Sequence, residues 1–414
     1  MTRPGALAVV ALVSAVLGAS LALALGKAVG WVDDDEQRIQ TVLVPTPDSG
    51  TPAADEVEGD AATPLVGNGF DAAELYRKRV EGVVTIYALF GEGGIGDADV
   101  SAAQGSGFVV SEEGYILTNS HVITTAGETD TGGAVDAADT VYVQFRDGER
   151  VPAEVVGWDV FDDVGVLKVD PADHPVSPVP LGDSSAVVVG EPVAAIGSPF
   201  GQESSLSVGV VAATERSIDS ITSGFNLVDA IQTDAPINRG NSGGPMFNAE
   251  GEVIGVNAQI RSESGTAEGV GFAIPINAAR RSMEQLIQTG EVRYAWLGVT
   301  TQSVTPRIAE RFGLAATSGA AVQSVAGGSP ADRGGLQGGA GEEEFEGLTF
   351  CPGGDVIVAV DGQPVTSAED VVRAVNQQRL PGDEIRLTVL RGAERLELAV
   401  TLGDRPANPP NLAC

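Results

Sequence analysis

Gly240-Asn241-Ser242-Gly243-Gly244-Pro245 is the stretch on which the reading of this chain turns. Glycines on both sides of a serine let the backbone bend tightly and leave the hydroxyl oxygen exposed. The same turn can aim the amides of Gly240 and Ser242 at one point, as stabilising an oxyanion requires. A serine hydroxyl is a weak nucleophile until a neighbouring base takes its proton. Two imidazoles are available in the whole chain, His121 and His174. His121 stands in Leu117-Thr118-Asn119-Ser120-His121-Val122-Ile123, whereas His174 lies in Asp173-His174-Pro175 and reads as an exposed loop residue. A carboxylate to orient a base is offered by Asp162 or Asp163 in Phe161-Asp162-Asp163-Val164-Gly165-Val166-Leu167. Ser106 and Ser120 lie near these segments without a partner pattern and read as structural.

Around these segments the chain is a succession of short Val- and Ile-rich runs broken by glycine. They lie at 83–90, 107–110, 115–118, 141–145, 164–169, 193–196, 208–212, 253–257 and 270–274. That spacing predicts an all-β barrel or sandwich rather than a doubly wound sheet or an α/β-hydrolase. Helices are expected at 71–80, capped by Asp71, and at 275–289, stopped by Gly290. Beyond them a smaller unit of strands and one helix (367–378) is interrupted by a Gly-rich acidic insertion at 338–353 with no periodicity.

The order His, Asp, Ser is that of the chymotrypsin-type triad, which is set by geometry rather than by sequence neighbours. Gly105-Ser106-Gly107-Phe108, Thr118 to Ile123, Ile231-Gln232-Thr233-Asp234-Ala235, the Ser242 loop and Gly271-Phe272-Ala273-Ile274-Pro275 together resemble the HtrA (DegP/DegS-like) family of serine proteases. The resemblance covers residues 71 to 405. It implies a mainly β fold: a chymotrypsin-like double β-barrel protease domain followed by one PDZ domain. It also implies degradation of unfolded or misfolded envelope proteins by homotrimers. His121 would then be the general base, Asp163 its orienter and Ser242 the nucleophile, with Gly240 and Ser242 giving the oxyanion amides. Asp163 is preferred to Asp162 because the family's acid directly precedes a small apolar strand start, here Val164-Gly165-Val166; Asp159 is too far away. Asn241 replaces the Asp that pairs with a new amino terminus in digestive trypsin-like enzymes, which argues against that activation route. The pocket for the residue before the cut would be walled by the segments around Ile237 and 256–260. No acid stands at its base, so an Arg/Lys preference is not supported; the resemblance implies small or medium aliphatic residues there.

Trp296-Leu297-Gly298-Val299 resembles the carboxylate-binding loop of PDZ domains, where successive amides form an anion nest. A peptide with a free C-terminus would add as a strand beside residues 299–302, its last side chain near Val371, Val372 or Val375. Cys351, in the insertion, and Cys414 are the two cysteines of the chain, and an even count in an exported protein suggests a disulfide.

Composition bounds what remains. The chain has 414 residues, 57 acids and 24 bases, a net charge of −33. Such a field repels phosphate backbones, so nucleic acid is not an expected partner. Two His and two Cys are too few for most zinc patterns, and no metal or other cofactor is expected. Residues 6–26 carry no charged side chain, enough apolar helix to cross roughly 30 Å of hydrocarbon, which reads as an uncleaved anchor; a secretory signal removed at Ala22-Leu23-Ala24 is the alternative. Arg3 precedes that segment and Asp33 to Glu36 follow it, which by the positive-inside rule places the bulk of the chain outside a bacterial cell membrane. The expected organisation is a short cytoplasmic end and single-pass anchor (1–32), an acidic Pro-containing linker (33–69), a trypsin-like domain (70–290), a PDZ domain (291–405) and a tail (406–414). The expected function is a membrane-tethered serine endopeptidase of envelope quality control; the alternative is a peptide-binding chaperone or stress sensor in which proteolysis is minor.

Overall fold

From Val83 onward the chain falls into short runs rich in valine and isoleucine, and the pleat sends successive side chains to opposite faces. In the computed structural model, which describes residues 70–91, 100–126, 135–198, 204–223, 225–238, 240–258, 270–376, 379–406, 412 and 414, these runs form two closed barrels. The expected anchor and linker lie outside the described residues, and among those described no helix is long and apolar enough to cross a membrane.

The first barrel contains β1 (Val83–Phe90), β2 (Ser101–Val109), β3 (Tyr115–Thr118), β4 (Thr140–Gln144), β5 (Arg150–Asp159) and β6 (Val164–Lys168), in the order β1-β2-β3-β6-β5-β4. The second contains β7 (Pro192–Gly197), β8 (Ser205–Asp219), β9 (Asn226–Thr233), β10 (Pro245–Phe247), β11 (Val253–Ala258) and β12 (Gly271–Pro275), in the order β10-β11-β12-β9-β8-β7. Closure leaves no unpaired edge, the usual route to aggregation. Ile86, Ile116, Val143 and Leu167 fill the first barrel, and Val193, Val211, Ile231, Met246 and Ile254 fill the second. A third cluster, with Phe108, Leu117, Val166, Ile196, Phe247 and Ile274, glues the barrels together. Each such side chain contributes about 1.5–3 kcal/mol on full burial.

Two helices close this core. Asp71 caps α1 (Ala72–Arg79) by accepting from Glu74 N, and Leu75 is its buried residue. Ile276–Thr289 forms a longer helix ending at Gly290, whose φ of 78° is the left-handed stop that glycine supplies. It lies close against β5, since a Cβ on Gly157 would come within 2.9 Å of Leu286. Between β3 and β6 sits a short helix that the sequence pattern did not reveal, Ser120–Ile123. These two are α2 (Ser120–Ile123) and α3 (Ile276–Thr289) in chain order.

Beyond α3, β13 (Ala295–Trp296) pairs with β22 (Gly403–Asp404), so the second unit begins and ends side by side. Its main sheet runs β14 (Val299–Ser303), β15 (Ala320–Val325), β18 (Val356–Val360), β20 (Glu384–Arg391) and β21 (Glu394–Thr401), with β19 (Gln363–Pro364) on β18. Helices α4 (Pro306–Phe312), α5 (Pro330–Arg333) and α6 (Ala368–Asn376) flank it. The segment 338–353, expected to lack periodicity, instead holds a hairpin of β16 (Glu343–Phe345) and β17 (Leu348–Phe350). Its apolar face consists of Phe345 and Phe350, both ring-packed on Phe312 of α4. Cys351 follows the hairpin and is bonded to Cys414, with Cα atoms 5.7 Å apart.

The insertion is rooted by a buried acid. Asp355 is 0% exposed; both its oxygens accept from Arg391 at 2.8 Å, and one also accepts from Gln337 N. Removing the guanidinium leaves a buried carboxylate unpaired, the costly way to break such a pair. Arg391→Met should therefore lower the unfolding free energy of the chain by about 3–5 kcal/mol in urea. A change below about 1 kcal/mol would show that the pair is not needed.

Candidate active site

The site is assembled from the ends of β3 and β6 and from the loop between β9 and β10. β5 and β6 are joined by a tight turn in which Asp159 faces Val164. Asp163 closes that turn with φ 51°, a left-handed conformation that Asp tolerates better than most side chains. β3 pairs with β6, Thr118 opposite Gly165, so the residues after Thr118 fold down beside Asp163. A Cβ on Gly165 would lie 2.7 Å from Ile123 Cδ1; glycine lets α2 settle there.

The Asp163 carboxylate is 2.8 Å from His121 Nδ1 through Oδ2, and its Oδ1 accepts from His121 N (3.0 Å) and Ser120 Oγ (2.8 Å). Its backbone carbonyl accepts from Asn119 Nδ2 (2.9 Å) and Ser120 N (3.3 Å). Five contacts to three successive residues fix the acid against the imidazole. Asp162 points elsewhere and pairs with Arg281 of α3 at 2.8 Å. Asp159 is buried and accepts from Ser282 Oγ (2.7 Å), Phe161 N (2.9 Å) and the Tyr294 hydroxyl. Burial, and secondarily the charge of Asp162, push its carboxyl up to about 6, against the pull of those donors.

Ser242 is carried in from the second barrel. Its carbonyl accepts from Ser106 N (2.8 Å), and Ser106 Oγ donates to Gly240 O (2.5 Å). Gly243 N donates to Asn257 O and Asn257 N to Gly244 O, both at 2.8 Å, which pins the other side of the turn. Gly243 has φ 82°, and a Cβ there would lie 2.3 Å from Ser106 O and Thr118 Oγ1. No side chain fits, and the loop therefore reaches within contact of Thr118 and Asn119, immediately before Ser120 and His121. Ser242 Oγ is buried without a hydrogen-bond partner among the described residues. Buried hydroxyls are rarely left so, except where chemistry employs them.

Ser106 and Ser120, read as structural from sequence, thus touch the loop of Ser242 and the carboxylate of Asp163. Their hydroxyls matter through tertiary partners, so no local pattern could have revealed it. His174 is less exposed than expected: its side chain is 13% exposed, stacked on Phe145, with Nε2 3.1 Å from Asp147. Ile237, Val256 and Ala258 are buried, while 259 and 260 of the expected pocket wall lie outside the described residues.

In the second unit, Trp296, Leu297, Gly298, Val299, Val371, Val372 and Val375 line a cavity of about 320 Å³. Phe225 of the β8–β9 loop, Asn226 at the start of β9 and Arg405 line it too. The loop carrying Gly298 is tied down by Ala326 N to Gly298 O and Ala331 N to Leu297 O, both 2.9 Å. Gly298 has φ 86°, and a Cβ would fall 2.3 Å from that of Ser329.

Comparison with known proteins agrees with this architecture. A trypsin-like peptidase domain matches residues 105–256 and a PDZ domain residues 295–402. A protein named probable periplasmic serine endoprotease DegP-like from Hahella chejuensis is 42% identical over 309 residues, 75% of this chain and 59% of the relative. A protein of the same name from Halomonas elongata is 40% identical over 314 residues, again 59% of its length. The chain thus spans about three fifths of the curated relatives it matches. Among solved structures, the HtrA-type protease AlgW with tripeptide is 35% identical with a TM-score of 0.66, over 81% of this chain and 98% of that one. A serine endoprotease from Yersinia pestis is 28% identical with a TM-score of 0.56, over 81% and 98%. Two barrels meeting at a serine loop, a PDZ module behind them and a 35% identity across nearly the whole of AlgW place this chain in the family of HtrA-type serine proteases.

Proposed function

We propose that the chain is a serine endopeptidase of bacterial envelope protein quality control. It is anchored by residues 6–26 with its protease and PDZ domains extracytoplasmic, works as a homotrimer, and cleaves unfolded or misfolded proteins. The observation that carries the reading is the Asp163–His121 pair, met by the Ser242 loop from the opposite barrel. Asp163 holds the proton on Nδ1, so Nε2 presents its lone pair. Ser242 Oγ attacks the substrate carbonyl as His121 takes its proton. The amides of Gly240 and Ser242 receive the developing oxyanion. His121 then returns the proton to the leaving amine, and water repeats the sequence on the acyl-enzyme. The buried apolar set of Ile237, Val256 and Ala258 fits small or medium aliphatic residues before the cut.

The Trp296 to Val299 loop receives the carboxylate of a peptide C-terminus, and Val371, Val372 and Val375 receive its last side chain. The Cys351–Cys414 bridge ties the tail to the insertion in an oxidising compartment.

Digestion of an unfolded protein tests the proposal. Ser242→Ala and His121→Ala should abolish nearly all turnover, and Asp163→Asn should lower kcat by about 10⁴-fold. Asp162→Asn should keep most of it; a dead Asp162→Asn beside an active Asp163→Asn would overturn the assignment of the acid. A peptide with an apolar last residue should bind the PDZ module in its acid form and lose most affinity when amidated, as titration calorimetry would read. Equal binding of both forms would remove the carboxylate loop. Reduction of the bridge, whose closed loop is worth roughly 4 kcal/mol in the chain-entropy account, should loosen the PDZ module while cleavage by the barrels persists. Alkylation of both thiols without reductant would show that no bridge forms.

A further inference from the structure

The turn that ends in Asp163 begins with a carboxylate that the triad does not use. Asp159 is 3% exposed, and Oδ1 accepts from Phe161 N (2.9 Å) and Asp162 N (3.4 Å), so the side chain holds the turn's backbone together. Oδ2 faces the other way and accepts from Ser282 Oγ of α3 and from the hydroxyl of Tyr294. Tyr294 is the residue before β13, and its carbonyl accepts from Arg405 N (3.0 Å) just after β22. The hydroxyl on Asp159 therefore belongs to the point where the PDZ module both enters and leaves.

The remaining turn residues are held from the same side. Arg281, paired with Asp162, also donates to Asn376 O (3.1 Å) at the end of α6, the helix that lines the peptide cavity. The guanidinium of Arg405 lies 4.9 Å from the Phe161 ring centre, and the Phe161 and Tyr294 rings pack edge to face at 5.2 Å. Among the described residues Asp159 has neutral donors only: Asp162 faces it as a like charge, and Arg281 and Arg405 lie over Tyr294. A carboxylate satisfied by hydroxyls and amides, with no cation bonded to it, keeps its orientation only while each donor stays in place.

We propose that Asp159 and Tyr294 are positioning residues for the catalytic acid: the Tyr294 hydroxyl, bonded to Asp159, sets the turn that holds Asp163 against His121. The inference rests on the triad reading above and goes beyond it. A role confined to stability would leave the chemistry of the folded enzyme untouched. A positioning role alters it, because a displaced Asp163 no longer holds the imidazole and its Nδ1 proton in the orientation that proton transfer from Ser242 needs.

The experiment uses the full chain and an unfolded, dye-labelled protein substrate, with kcat and KM followed from pH 5 to 8. Tyr294→Phe keeps the ring that packs on Phe161 and removes one oxygen. The expected result is a fall in kcat on the order of 10- to 100-fold, with KM little changed. Asp159→Ala should lose at least as much, and the double variant should be no worse than Asp159→Ala, since the two side chains act as a unit. Asp159→Asn, which keeps the acceptor for both turn amides, should recover part of the loss. If Tyr294→Phe, or Asp159→Ala where only that variant folds, lowers the melting temperature yet keeps wild-type kcat, the positioning role is overturned; additive losses in the double variant overturn it as well. Wild-type protein that fails to cleave, or Ser242→Ala that cleaves equally well, would sink the protease reading instead, so the two failures are distinct.

Discussion

The proposed catalytic site depends on how one buried serine, Ser106, stitches the two barrels together. Its amide donates to Ser242 O, its hydroxyl donates to Gly240 O and accepts from Ser198 N, and its carbonyl accepts from Thr118 Oγ1. The residue is 0% exposed, so each of these groups would be costly to leave unpaired. The result is a rigid clamp between β2, the end of β3 and the loop that follows β9. The proposed base and nucleophile come from different barrels, and the clamp brings the two barrels together into one site. The flanking glycines belong to the same constraint: at Gly105 a Cβ would meet Val122 at 2.6 Å, and at Gly244 it would meet Ile196 O at 2.5 Å.

The parts of this arrangement that obey local rules were legible in the sequence. The run 83–90 forms β1 to the residue, and 115–118 forms β3, because β-branched residues and bounding turns suffice to mark a strand. Gly290 stops α3 as expected. Strands that break the composition rules were missed. β5 contains Pro152 and Gly157, and β9 mixes Asn, Asp and Gln among its apolar residues. β8 runs from 205 to 219 rather than 208 to 212, with register shifts and Glu215 at φ 58° where the hairpin bends beyond the barrel. The hairpin in the insertion was hidden because its strands are three residues long and acidic; its two phenylalanines acquire meaning only beside Phe312 of α4.

For the site, the residue types and their order pointed to His121, Asp163 and Ser242, because an attacking hydroxyl demands a base and an orienting acid. The choice between Asp162 and Asp163 leaned on a resemblance. The geometry separates the two by their partners, Arg281 for one and His121 for the other. A triad is a tertiary object, and the two serines that touch the proposed one, Ser106 at the Ser242 loop and Ser120 at Asp163, have no helical or strand periodicity to mark them.

The contacts between the barrels and the PDZ module divide into two chemical kinds. On the outer side Arg373 of α6 binds Asp229 at 2.7 Å and lies 3.4 Å from Glu215, both on the extended β8–β9 hairpin. These partly exposed ion pairs are screened by salt and individually weak. On the inner side the Asp159–Tyr294 bond is dry and neutral at one end. Its strength depends on geometry more than on ionic strength, because little water or salt reaches it. The chain carries an excess of acids, and a joint held by arginines alone would loosen as salt rose. Pairing a screened outer latch with a buried inner bond allows the module to be held at two points that respond to different conditions. The inner point is the one covalently continuous with Asp163, four residues along the same turn.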